Sequence, residues 1–342
     1  MPPMSSPILA TVPLERQWPT LDPFLFCVHH LDAYPPGNAN LGIDGPSLSG
    51  RSLGSDFSAK DGWSMYHGTE VPGFPRHPHR GFETVTLARQ GFIDHSDSLG
   101  ARARFGNGDV QWMTAGHGIE HSEMFPLVHQ DASNPTELFQ IWLNLPEANK
   151  HAEPHFKMMW KGSIPSRVLH NGEQPIVTVT CVAGDLAGEP PPSPPPCSWA
   201  SQPESEVVIA TFAFTGNGEW SLPPARGLVT RVLYFFRGET LAINGRSLAV
   251  GHAAQLDPSQ PAQLRAASEG EALVLQGLPI GEPVVQRGPF VMNDEAGIRR
   301  AFADYQRDRF GRWQWDQNEP VHPREAGRFA VHADGREERL PK

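Results

Sequence analysis

Apolar and polar residues alternate with a period of two over many short stretches of this chain, and that period predicts strands rather than helices. From Phe82 to Leu87, the residues Phe82, Thr84 and Thr86 would face one way and Glu83, Val85 and Leu87 the other. Asp109-Val-Gln-Trp-Met and Leu138-Phe-Gln-Ile-Trp-Leu-Asn-Leu are denser in apolar residues and bounded by Gly, Asn and Pro, which predicts buried strands. Shorter strand pieces are expected at Phe24 to Val28 and Trp63 to Tyr66, on either side of the Pro/Gly/Asn-rich stretch Tyr34 to Gly50. A second series runs through Val177-Thr-Val-Thr, Val207 to Phe214, Val229 to Phe236, Thr240 to Ile243 and Ala272 to Gln276. Strands at short intervals with glycine turns predict an all-β fold, and the shared layout of the two halves suggests two barrels of one type.

One segment departs from that period. Ile298, Ala301, Phe302 and Tyr305 form a helical stripe, with Asn293 as the expected N-cap and Asp294 and Glu295 in the first turn. Arg307 and Arg309 then lead to a stop at Gly311. From Trp313 on, the mixed polar composition predicts a loosely packed tail. Pro190 to Pro196 is nearly all proline and should be an extended surface loop, read here as an insertion without function. The corresponding division is an N-terminal barrel at 1–150, a C-terminal barrel at 151–292, and a helix and tail at 293–342.

Composition narrows the possible functions. The 342 residues exceed what one small core needs. The 33 glycines and 35 prolines suit frequent turns. A formal net charge of −10, with no run of Lys or Arg, argues against direct nucleic-acid binding. Cys27, Cys181 and Cys197 are odd in number and lack metal-type spacing, so three reduced thiols are expected. Neither a secretory signal nor a membrane-spanning run is readable, so the expectation is a soluble cytoplasmic protein without a membrane role.

The chemistry concentrates in two pairs. His77 and His79 are two apart, so on a strand both imidazoles face one point. Gly116-His-Gly-Ile-Glu-His121-Ser-Glu123 offers a second pair at the same spacing. Two such strands facing each other would bring His77, His79, His121 and Glu123 around one divalent ion and leave an open position for substrate or dioxygen. Imidazole and carboxylate without thiolate favour iron, manganese, nickel or copper over closed structural zinc. Glu83 shares the parity of His77 and His79, but on a regular strand it lies about 13 Å beyond His79. Glu123 is therefore preferred, unless a bulge intervenes. His95 and His117 lie near the site in sequence, and His117 in its Gly-His-Gly turn suits a loop. His29 and His30 are expected to be structural. Phe82, Trp112 and Met113 are ordinary core residues that could also line an apolar pocket.

The runs His77-Pro-His-Arg-Gly-Phe-Glu-Thr-Val, Gly108-Asp-Val-Gln-Trp-Met-Thr-Ala-Gly-His-Gly-Ile-Glu-His-Ser-Glu-Met124 and Gln140-Ile-Trp-Leu-Asn-Leu resemble the pirin family of the cupin superfamily. Glu282-Pro-Val-Val-Gln-Arg-Gly-Pro-Phe-Val-Met-Asn293 and Ala301-Phe-Ala-Asp-Tyr-Gln306 resemble its C-terminal segment. The resemblance implies two cupin-type (jelly-roll) β-barrels and a short C-terminal helix, with a metal only in the first barrel. It puts the ligands at His77, His79, His121 and Glu123, with iron(II) as the preferred ion. The second half has no His-x-His pair, as a metal-free barrel would not. Residues 29–70, Pro190 to Pro196 and the tail after Trp313 depart from the family pattern.

The resemblance implies two roles. One is a quercetin 2,3-dioxygenase-like enzyme that opens a flavonol with loss of carbon monoxide, with Glu123 as the base and a small aromatic substrate and dioxygen as partners. The other is a non-catalytic, iron-dependent redox regulator that binds a transcription factor or a metabolic enzyme.

Overall fold

The computed structural model describes residues 6–340. Strands β1 (Ile8–Pro13) and β2 (Phe24–Tyr34) come first. Then follow β3 (Gly73–His79), β4 (Phe82–Gln90), β5 (Phe92–Asp97), β6 (Arg102–Gly106), β7 (Asp109–Thr114), β8 (Ile119–Met124), β9 (Asn134–Asn144) and β10 (His155–Met159). The second series is β11 (Ser166–Asn171), β12 (Gln174–Ala183), β13 (Val208–Phe214), β14 (Glu219–Leu222) and β15 (Thr230–Arg237). It continues with β16 (Thr240–Ile243), β17 (Arg246–Ala249), β18 (His252–Leu256), β19 (Ala262–Ala266) and β20 (Gly270–Gly277). The chain closes with β21 (Val285–Arg287), β22 (Phe290–Met292), helix α1 (Glu295–Asp308), β23 (Phe329–Val331) and β24 (Glu337–Arg339).

These elements form two compact units, and the chain visits each more than once. Among the described residues, one unit holds 29–140, 145–161 and 282–340, and the other holds 6–28, 141–144 and 162–281. A contiguous division at residues 150 and 292 does not describe this arrangement. The reason lies in edge pairing: β1 hydrogen-bonds to β18 of the second series, with Ile8 opposite Leu256 and buried in that unit's core.

The metal-ligand candidates sit in the unit built on 29–140, called here the first barrel. Its sheets run β24-β23-β6-β5-β8-β3 and β10-β7-β4-β9-β2. They face each other, since Thr86 on β4 reaches Glu123 on β8 and Phe156 on β10 stacks on His95 of β5. The second barrel pairs a seven-stranded sheet, β1-β18-β15-β20-β13-β12-β11, with a four-stranded one, β14-β19-β16-β17. Its interior is apolar and includes Val179, Phe212, Phe214, Leu233 and Phe235.

Three expectations need correction. Residues Trp63 to Tyr66 do not form a strand. Tyr66 has φ 56°, a left-handed conformation that breaks the extended run, and only isolated bridges to Asp56 and Gly73 remain. The segment is held instead by Arg51, which donates to Asp56 and to the Trp63 carbonyl, both at 2.9 Å, and lies over the Trp63 ring. The N-cap of α1 is Asp294, which accepts from Gly297 N–H, while Asn293 donates to Glu282 at 3.0 Å. Phe302 is 42% exposed although it belongs to the predicted stripe, and its ring packs against Phe290.

The tail is not loose. β23 extends the first barrel's six-stranded sheet, with Phe329 opposite Arg104 and Val331 opposite Arg102. Arg104 is 1% exposed, forks onto Asp94 with two bonds of 2.7 Å, and donates to the carbonyls of His322 and Pro323 at 2.8 Å. A buried ion pair needs its remaining donors satisfied, and the tail supplies those acceptors. The Pro190 to Pro196 run has neither helix nor strand, as expected, though Pro195 is buried.

Candidate metal centre

The pairing register explains why the histidines converge. β3 and β8 run antiparallel with His77 opposite His121 and Phe74 opposite Glu123. Three steps on β3 match two on β8, so β3 carries a bulge at Pro75 and Arg76. The extra residue puts Phe74 and His77 on the same face despite their odd spacing. On the other side of β8, Asp97 lies opposite His121 and His95 opposite Glu123. Directly opposed residues share a face. One interior row therefore reads Asp97, His121, His77, and the next reads His95, Glu123, Phe74.

The turn entering β8 has a steric basis. Gly118 has φ 136°, and a Cβ there would lie 2.4 Å from the Phe310 ring. His117, in the same turn, faces out to Glu153 at 3.2 Å and serves the loop, as expected.

His77, His79 and His121 each bring one ring nitrogen within 4.8 Å of the others. His77 Nδ1 contacts the Pro75 carbonyl at 2.8 Å, which fixes Nδ1 as the protonated nitrogen and leaves Nε2 as a lone-pair donor. The Pro289 carbonyl also accepts a hydrogen bond from the His79 ring. Burial, reinforced by the neighbouring imidazoles, pulls His79 and His121 well below the usual histidine range. Burial takes His77 to about 4. All three are thus neutral, the form that ligates metal. His121 is fully buried, and neither of its ring nitrogens has a hydrogen-bond partner among the described residues. Three neutral imidazoles, His79 and His121 buried and His77 half-buried, with both nitrogens of His121 unpaired among the described residues, fit a transition-metal ion better than a dry core.

Glu123 stands beside that cluster rather than in it, with Oε2 3.9 Å from His121 Nε2. Gln140 Nε2 donates to it at 3.0 Å and Thr86 Oγ1 at 3.1 Å. Burial raises its pKa above the ordinary carboxylate value, and these two bonds only partly offset the shift. The competing carboxylate, Glu83, lies on β4 and accepts from Thr114 at 2.6 Å. His29 is bonded to Glu137 and His30 to Tyr66, both at 2.9 Å. Phe82 is fully buried with its ring 5.0 Å from that of His79, and Trp112 and Met113 are fully buried on β7.

Four neighbours of the site are not assigned from sequence. Gln140 and Thr86 orient Glu123 from the opposing sheet, and no spacing rule connects strands so far apart. His95 contacts Asp97 Oδ2 at 3.0 Å. That carboxylate also accepts from Leu99 and Ala101 N–H, so His95 Nε2 is the donor. Its Nδ1 has no hydrogen-bond partner among the described residues. Gln111 lies opposite Thr86 and so on the interior face, and neither of its amide atoms has a partner among the described residues. The His-x-Asp spacing of 95 and 97 is the one readable signal among these.

Residues 46–143 match the family model for Pirin, and residues 211–311 match that for the Pirin C-terminal cupin domain. A Vibrio cholerae protein provisionally named quercetin 2,3-dioxygenase is 36% identical over 241 residues, 70% of this chain and 80% of its own length. Pirin-1 of Arabidopsis thaliana is 36% identical over 242 residues, 70% of this chain and 78% of its own. The crystal structure of quercetin 2,3-dioxygenase from Acinetobacter baumannii superposes with a TM-score of 0.71 at 25% identity, covering 90% of this chain and 98% of that one. Among the described residues, no helix is long and apolar enough to cross a membrane.

Proposed function

The chain belongs to the pirin family of the cupin superfamily, and from that premise we propose that it is a metal-dependent dioxygenase that opens quercetin or a similar flavonol with release of carbon monoxide. The observation that carries this reading is the convergence of three neutral imidazoles, two of them buried and one half-buried, beside a carboxylate that is itself held in place. The names of the Vibrio and Acinetobacter relatives point to the same reaction. His77, His79 and His121 would hold the ion, iron(II) by preference, with Glu123 at or beside it. Once bound there, the metal supplies Lewis acidity and a site for dioxygen.

The remaining work falls to this chain's own side chains. Glu123 would take the proton of the flavonol 3-hydroxyl, since a carboxylate with raised proton affinity is the better base at neutral pH. Gln140 and Thr86 keep its oxygens oriented while it does so. The interior groups Gln111 and His95 Nδ1 suit a ligand rich in oxygen atoms. Packing of Phe82 on His79 shields one side of the cluster.

The test is oxygen uptake coupled to loss of quercetin absorbance by anaerobically iron-loaded protein. Glu123→Gln should keep most of the metal while turnover drops by about 10²–10⁴-fold. Undiminished turnover in that variant would remove Glu123 as the base. A fully loaded wild type without turnover would favour the non-catalytic redox-regulator role.

A further inference from the structure

The second barrel has an inward-facing arginine with one end unused. Arg231 lies on β15 opposite Gln276 of β20, on the face that carries Leu233 and Phe235 into the apolar core. Its Nε donates to Gln276 Oε1 at 2.7 Å, and Gln276 Nε2 donates to the Glu206 carbonyl at 3.1 Å. Arg231 is 2% exposed, yet its Nη1 has no hydrogen-bond partner among the described residues. Ser205 is 1% exposed, and its hydroxyl is likewise without a partner there. Both residues line one cleft of about 520 Å³.

Prolines form much of the apolar part of that cleft's lining. Pro190, Pro191 and Pro194 of the proline run form one part, and Pro223 and Pro224 another. The volume suits a small ligand. Burial lowers Arg231 to about 10, which leaves it cationic at neutral pH. Two buried donors without acceptors are expensive to maintain unless something accepts from them. The nearby Glu206 carboxylate already accepts from Arg226 N–H at 3.0 Å. Asp185 and Glu206 also line the cleft, and their charges disfavour a multiply charged anion more than a singly charged one.

We propose that this cleft binds a small organic carboxylate, with the carboxylate on Arg231 Nη1 and the Ser205 hydroxyl and its apolar body between the proline walls. The proline run, which has no role in the metal chemistry, then builds a binding site in the barrel that lacks histidine ligands. The proposal is independent of the flavonol reading, because no residue of the metal centre takes part.

The experiment is a calorimetric and saturation-transfer NMR titration of the metal-loaded full chain with benzoate, benzamide and inorganic phosphate. Benzoate should bind and benzamide should not. Arg231→Met should weaken benzoate by about tenfold or more, the loss of one charge-assisted hydrogen bond. Ser205→Ala should weaken it by about threefold. If Arg231→Met does not fold, the milder Ser205→Ala decides. Failure of benzoate to bind, a preference for phosphate or benzamide, or benzoate affinity unchanged in the variants would overturn the proposal. So would benzoate binding that is lost in His121→Ala but kept in Arg231→Met, which would put the anion at the metal centre.

Discussion

Across the interior of the first barrel, the facing residues are His77, His121 and Asp97 in one row and Glu123 and His95 in the next. Across the second, they are Val179, Phe212, Leu233 and Val274. Both interiors are closed by two antiparallel sheets, so the difference lies in side chains rather than topology. An apolar interior needs only volume and shape. A polar interior needs a partner for every buried donor and acceptor, and those partners must come from several strands at once. That requirement explains why the first barrel recruits the bulge in β3 and Gln140 from β9, while on the outer face of the six-stranded sheet the C-terminal tail supplies carbonyls to the Arg104 and Asp94 pair.

Substitutions can break this contrast. The largest effect should come from His121→Ala, which removes one of three imidazoles and should weaken metal binding by about a hundredfold or more, read as metal content after dialysis. Phe212→Ala in the second barrel should destabilise its unit by about 3–5 kcal/mol, visible in chemical denaturation, while metal content stays at the wild-type level. Equal metal loss in both variants would show that the two interiors are not distinct. Arg104→Met should cost about 3–5 kcal/mol by leaving Asp94 buried and unpaired, and should expose the tail beyond Trp313 to limited proteolysis. A tail as resistant as in wild type would mean that β23 pairing alone secures it.

Acid should sharpen the comparison with a smaller effect. Asp56 is pushed up by burial, but bonds from the Ser58 hydroxyl, Met65 N–H and Arg51 outweigh that and bring it to about 2. Its folded pKa lies below its unfolded value, so its contribution is complete above about pH 4 and is lost as pH falls toward 2. We expect about 2 kcal/mol of acid sensitivity in the first unit from this group, absent in Asp56→Asn. Among the described residues, the apolar core of the second barrel holds no such carboxylate, and Asp257 of that unit, held below the usual range by Ser259 and Gln260, lies outside it. Identical acid profiles for wild type and Asp56→Asn would remove Asp56 from the account.

The sequence revealed the histidines because a two-residue period survives folding unchanged. His77 with His79, and His121 with Glu123, each share a face whatever the rest of the chain does. The meeting of the two pairs depends on a bulge at Pro75 and Arg76 that no local pattern announces. The roles of Gln140, Thr86 and Gln111 follow from cross-strand register, which is a tertiary fact. The tail was misread because its strand is three residues long and its main anchor, Arg104, lies more than two hundred residues earlier. β1 was missed because five of its six residues face solvent, leaving no alternation to read.

The central claim is that the three histidines and Glu123 support oxygenolysis of a flavonol. The most direct test measures carbon monoxide released against dioxygen consumed during quercetin loss by the iron-loaded protein. The account predicts one carbon monoxide per dioxygen, abolished in His121→Ala. Quercetin loss without carbon monoxide, or no loss at full metal occupancy, would contradict it.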